Sequence, residues 1–203
     1  MNANFLRRFG AYLIDIIIVG IVVGFVSLIF TTQNAYKLND QLLELNEQVI
    51  NNQVDMGTYY GRVSDLALSI DKENFIINII NCAIIILYFV VLPLYQKGQT
   101  FGKKILKIRI VRDDKEDLTA NELIIRNVIV NGLLNTLLSF CLVFLLPGFE
   151  YFTIVSILAL IQTVLIIVSA CMIIFRKDKK GLQDIITKTH VIDDNLEVEY
   201  ERI

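Results

Sequence analysis

The sequence predicts an all-α integral membrane protein: a four-transmembrane-helix bundle with an external helical hairpin and a small cytoplasmic β-element. Three observations carry this prediction. With 55% hydrophobic residues, 20% charged residues and a mean hydropathy of +0.58, the chain is too apolar for an ordinary soluble core. Four runs reach the roughly 20 apolar residues that a helix rising about 1.5 Å per residue needs to cross about 30 Å of hydrocarbon. They lie at about 9–30, 75–95, 128–146 and 152–175. The third observation is the placement of Lys and Arg, because cytoplasmic flanks carry the positive excess. Of the 19, two precede the first run, eight lie between the second and third, and six follow the fourth. The loop over 31–74 holds only three, against seven acidic residues. Both termini are therefore placed in the cytoplasm.

The first run is too long for the apolar region of a cleaved leader and lacks a small-x-small cleavage site, so it is read as retained. In the external loop over 31–74, Leu38, Leu42, Leu45 and Val49 form one apolar helical face, opposite Asp40, Glu44 and Glu47. A break is expected near Met56, Gly57 and Gly61, after which Val63, Leu66 and Ile70 resume the stripe and complete a hairpin. The cytoplasmic loop over 96–126 contains Gly98-Gln-Thr-Phe-Gly102-Lys103-Lys104. This lacks the full phosphate-loop spacing and reads instead as a short basic amphipathic helix at the lipid surface.

Ile108 to Val111 alternates and is β-branched, as is the run around His190 to Ile192. Neither is long enough to be stable alone, so the two are expected to pair. Thr119 with Glu122 is a capping box that starts the third helix. Pro93 and Pro147 lie near span ends, so no span is expected to be broken. Residues 193–203 are an acidic tail.

Several functional classes are disfavoured. Nineteen basic against 21 acidic residues leave a net charge of −2, which argues against nucleic acid as a partner. Cys82, Cys141 and Cys171 sit inside apolar runs without CxxC spacing and read as packing residues, not as metal ligands or disulfides. No nucleophile constellation, metal spacing or cofactor motif occurs, so the chain is expected not to be an enzyme and to need no cofactor. His190, the one histidine, is read as part of a short strand.

Asp15 is the sharpest single feature, because a carboxylate within a span costs about 2.5 to 3.5 kcal/mol on insertion scales and calls for a partner or a role. Arg8 stands about 10 Å away along the helix, so pairing there is stretched, and Arg126 at the entrance of the third helix is the natural partner. Asp15 is then either half of a structural ion pair or an ion or proton site. Asn127, Asn131, Asn135 and Ser139 recur every four residues on the third span. With Asn78 and Asn81 on the second, Asn131 and Asn135 define either a polar track or interhelical hydrogen bonds. Gly20 and Gly24 form a small-xxx-small pair suited to close helix contact.

Three patches taken in order resemble the RDD family of bacterial membrane proteins. They are Arg8-Phe-Gly-Ala11-Tyr-Leu-Ile-Asp15, the stretch from Gly98 to Val111 with Leu118-Thr119 and Arg126-Asn127, and Gly181-Leu-Gln-Asp184 through Val191. Residues 1–192 would form the family's membrane domain, in a bacterial inner membrane. The family's Arg and two Asp would fall on Arg8, Asp15 and Asp184. Gln183 departs from the His that relatives often carry before that Asp. The resemblance implies a polytopic membrane domain, with cation/proton exchange as an activity proposed for relatives. Two functions are therefore weighed: a small secondary transporter, taking a monovalent cation or proton and working as a homo-oligomer, and a non-transporting scaffold or assembly factor. In the second, Arg8, Asp15, Arg126 and Asp184 tie the cytoplasmic ends together and the hairpin engages a membrane partner.

Overall fold

The computed structural model describes residues 2–194. The first apolar run forms α1 (Phe5–Phe30), which begins ahead of the predicted span. Two helices, α2 (Gln33–Ile50) and α3 (Met56–Glu73), follow and lead into α4 (Phe75–Tyr95), which contains a π-helical turn at Leu87–Val91. Next come α5 (Phe101–Ile105), β1 (Ile108–Arg112), α6 (Ala120–Val130), α7 (Leu133–Leu142) and α8 (Gly148–Phe175). The last described elements are α9 (Leu182–Ile186) and β2 (Thr189–Asp193). Among the described residues three helices, α1, α4 and α8, are long and apolar enough to cross a membrane, and α6 with α7 makes a fourth if the bent pair is one span.

That bend corrects the expectation of an unbroken third span at 128–146. The axes of α6 and α7 differ by 76°, and neither proline causes it. Asn131 ends α6 by donating its N–H to Asn127 O at 3.0 Å, and Gly132 takes a left-handed φ of +64°. Such a residue closes a helix at little cost when it lacks a Cβ. The Gln162 amide then donates to Ile129 O at 2.6 Å, supplying a partner where the helix ladder stops.

The chain divides into two compact units, the first built from residues up to Val23, Ala83–Leu133 and the chain from Gln162 onward, the second from Gly24–Cys82 and Leu134–Ile161. In the second unit the predicted hairpin is present, but its break falls at residues 51–55, and Gly57 and Gly61 lie inside α3. The reason is capping: Asp55 accepts the Thr58 N–H at 3.0 Å and so starts the helix ahead of the glycines. Thr32 caps α2 by accepting from Ala35 N–H at 3.1 Å, and its hydroxyl donates to Glu73 at 2.6 Å, tying the two ends of the hairpin. Leu68, Val143 and Tyr151 form this unit's core, and the Tyr151 hydroxyl donates to Asp71 at 2.6 Å.

In the first unit the expected strand pairing is present. β1 and β2 are antiparallel, with Ile110 opposite Val191 and Val111 opposite His190. Their inward side chains join Ala3, Ala11, Val90 and Leu123 in one buried cluster. His190 lies on β2, its Nδ1 2.7 Å from Asp113. Thr119 precedes α6, where Glu122 accepts its backbone N–H at 2.7 Å, the reciprocal half of the predicted capping box.

Two smaller expectations come out differently, and a third falls mostly outside the described residues. A Cβ built on Gly20 or Gly24 would meet nothing within 4 Å, so neither glycine makes the close contact expected of the pair. Cys82 is buried as predicted, whereas Cys141 and Cys171 are exposed. The acidic tail lies outside the described residues from 195 onward. Asp193 closes β2 and pairs with Arg7, and Asp194 lies 3.2 Å from Arg109.

Candidate functional site

The charged residues singled out in the sequence meet in the first unit, but in a different pairing from the one expected. Among the described residues, Asp15 binds no arginine. It is 1% exposed, and its oxygens accept from the Tyr88 hydroxyl at 2.6 Å, the Thr100 hydroxyl at 2.6 Å and the Gly102 N–H at 2.7 Å. The donors belong to α4 and to the start of α5, so this carboxylate fastens the 98–102 segment onto α1.

The glycine-rich segment is explained by this attachment. A Cβ on Gly102 would lie 2.2 Å from Ala11 O and 2.8 Å from Asp15 Oδ1, so only hydrogen fits between α5 and α1. Gly98 takes a φ of +85°, and a Cβ there would lie 2.1 Å from Ile110 O. Thr100 caps α5 by accepting from Lys103 N–H at 3.4 Å while its own hydrogen goes to Asp15. The expected lipid-surface helix is therefore docked through its glycine face, although Phe101 and Ile105 remain exposed.

The arginines converge on the other acid. Asp184, on α9, is fully buried, with one oxygen accepting from Arg126 at 2.6 Å and the other from Arg8 at 2.6 Å and from Gly181 N–H at 2.9 Å. Arg126 also reaches the Thr189 hydroxyl at 2.5 Å, and Arg8 donates through Nε to Ala3 O at 3.2 Å. Burial pushes the Asp184 carboxyl up, yet the guanidinium groups of Arg126 and Arg8 outweigh it and hold the acid below the usual carboxylate range. Gln183, the departure from the family pattern, accepts a hydrogen bond from Ser169 on α8. The arrangement clamps α1, α6 and α9 with the strand β2.

A cavity of about 280 Å³ opens beside this layer. Phe9, Phe89, Ile129 and Ile166 supply apolar wall, while Arg8, Lys103, Arg126 and Asn131 supply polar lining. Lys103 is half-buried, and among the described residues its ammonium has no ion-pair partner within 4 Å. Burial lowers its pKa to about 8; Arg126 and Arg8 act in the same direction, and Asp15 and Asp184 oppose them.

The asparagines do not form one hydrogen-bonded track. Asn131 belongs to the first unit, where it accepts from the Tyr12 hydroxyl at 3.0 Å and donates to Asn127. Asn127 in turn donates to Phe89 O at 3.1 Å, on the π turn. Asn78, Asn81 and Asn135 lie in the second unit, and the carbonyl oxygens of Asn81 and Asn135 are buried without a partner. The helix break is the physical reason, since it interrupts the four-residue stripe between Asn131 and Asn135. Tyr88 and Lys103 were missed as site residues. Lys103 had a legible signal in the Gly-x-Thr-x-Gly-Lys spacing; Tyr88 had none.

Arg8, Asp15 and Asp184 thus sit among helices long and apolar enough to cross a membrane, which marks a membrane-type protein. The chain belongs to the RDD family, whose model matches residues 2–188. It is also similar to the uncharacterized protein YckC of Bacillus subtilis (strain 168), at 31% identity over 108 residues, or 53% of this chain and 56% of that protein. The match thus spans about half of that relative's length. No solved structure matches.

Proposed function

We propose that this chain is a non-transporting scaffold or assembly factor of the bacterial cell membrane, with both termini in the cytoplasm, that presents its hairpin to a membrane or secreted partner. The observation that carries this reading is the saturation of both family carboxylates. Asp15 holds three donors from fixed elements, and Asp184 holds two arginines and a backbone N–H. A coupling carboxylate must load and release its ion, and releasing these donors would leave buried groups unpaired at about 1 to 3 kcal/mol each. The hairpin adds a surface. Tyr36, Leu43 and Ile50 are 48%, 62% and 77% exposed at seven-residue spacing on α2, an apolar line among exposed positions of that helix that are otherwise polar.

A second reading, a small cation/proton exchanger, draws on the break at Asn131 and Gly132 and on the unpaired oxygens of Asn81 and Asn135, because transporters bind substrate at interrupted helices. Proteoliposomes with a trapped pH dye and an imposed sodium or potassium gradient separate the two. The wild type is expected to show no proton flux above protein-free vesicles. Cation-dependent flux that disappears in a well-folded Asp15→Asn protein would establish the exchanger instead.

Orientation has its own check. With the three native cysteines replaced by alanine, Asn52→Cys is expected to react with an impermeant maleimide on intact cells, and Lys115→Cys only after the membrane is opened. The opposite pattern would reverse the topology and turn the hairpin toward the cytoplasm.

A further inference from the structure

We propose that the cavity of the first unit holds the head group of an anionic phospholipid, with Lys103 as the cation that meets its phosphate. The inference stands apart from the choice between scaffold and exchanger, because it rests on a charge balance and on the cavity's shape.

The layer gathers three cations, Arg8, Lys103 and Arg126, around two anions, Asp15 and Asp184. Arg8 and Arg126 are committed to Asp184, each at 2.6 Å. Asp15 has its oxygens occupied by uncharged donors, so it influences Lys103 only from a distance. Among the described residues one positive charge therefore remains without a direct counterion, on a residue that lines the cavity. Burial, with Arg126 and Arg8 acting in the same direction, lowers the proton affinity of this ammonium, and an anion beside it would restore the charged form.

The rest of the cavity argues for a lipid over a free anion. Apart from its polar lining the wall is apolar, and it reaches the outer surface through Phe9 and Ile166, which are 47% and 43% exposed. In a bilayer that surface faces acyl chains. At about 30 Å³ for a water-sized group, the cavity has room for a phosphate with its glycerol and the start of a chain, while the chains themselves stay in the membrane. The site also lies among the helix ends flanked by most of the basic residues, where pockets between spans select anionic head groups.

Native mass spectrometry in detergent with equimolar dioleoyl phosphatidylglycerol and dioleoyl phosphatidylcholine tests the proposal. The wild type is expected to retain the anionic lipid over the zwitterionic one by about fivefold, the value of one lysine near a lipid charge. Lys103→Gln should abolish the preference, and Lys104→Gln, an exposed neighbour on the same helix, should keep it. Ala170→Phe fills the cavity without changing charge and should reduce phosphatidylglycerol to the level of phosphatidylcholine. If Lys103→Gln fails to fold by circular dichroism, Ala170→Phe decides the question. Equal retention of the two lipids by the wild type would overturn the proposal, as would equal losses in Lys103→Gln and Lys104→Gln, which indicate diffuse surface attraction. Complete displacement by glycerol 3-phosphate would mark a soluble-anion site and would overturn the lipid assignment.

Discussion

Asp184→Asn is expected to destabilise the protein by about 3 to 5 kcal/mol, the cost of removing one partner from a buried charge set. Two arginines lose their counterion at once, and both guanidinium groups are almost wholly enclosed, with side-chain exposures of 9%. An asparagine can still accept on one side, but its amide would point a donor at one of them. Thermal unfolding in detergent micelles reads the loss. The double variant Asp184→Asn with Arg126→Met should recover part of it, because one of the stranded charges has been removed with its partner; no recovery would place the damage elsewhere. The sign of the pH dependence follows from the depressed carboxyl. Its stabilisation is fully present above the ordinary carboxylate value near 3.8 and is lost as pH falls below it toward the folded value. The wild type should therefore lose its advantage over Asp184→Asn only in strong acid.

Gly102→Ala is the second large effect. The added methyl would sit 2.2 Å from a backbone oxygen of α1, which cannot rotate away, so α5 must lift. Lifting separates the Gly102 N–H and the Thr100 hydroxyl from Asp15, two hydrogen bonds to a buried charged acceptor, each worth about 1.5 to 3 kcal/mol. A loss of roughly 3 kcal/mol or more is expected in the same unfolding measurement. Gly20→Ala is the contrasting substitution. It meets nothing within 4 Å and should be neutral or slightly stabilising, since alanine is the better helix former. Equal losses at the two positions would show that helix propensity, and not the contact with α1, governs Gly102.

How far the site was legible in the sequence differs from residue to residue. Asp15 and Asp184 stood out, the first because a carboxylate inside an apolar run demands a partner, the second through the family pattern. The choice of partner did not stand out. Arg126 is as natural a partner for Asp15 as for Asp184 when judged by chain position, and only assembly shows that it lies 2.6 Å from Asp184. The bend of the third span was hidden for a related reason. Gly132 is one glycine in an apolar stretch, and its left-handed φ accompanies a hydrogen bond from Gln162 to Ile129, 33 residues apart.

What the sequence by itself determined is what depends on neighbours along the chain. Three of the four apolar runs required helices of spanning length, Thr119 and Glu122 set the start of α6, and the β-branched runs at 108–111 and 190–192 could satisfy their backbone only by pairing. Each is an interaction between residues a few positions apart, or a demand that burial places on a whole segment. Tertiary structure alone decided which acid takes the arginines. Arg8 and Asp184 are 176 residues apart, and a charged group's partner is fixed by which side chains the packed helices bring within hydrogen-bonding distance, a condition that short-range pattern does not encode.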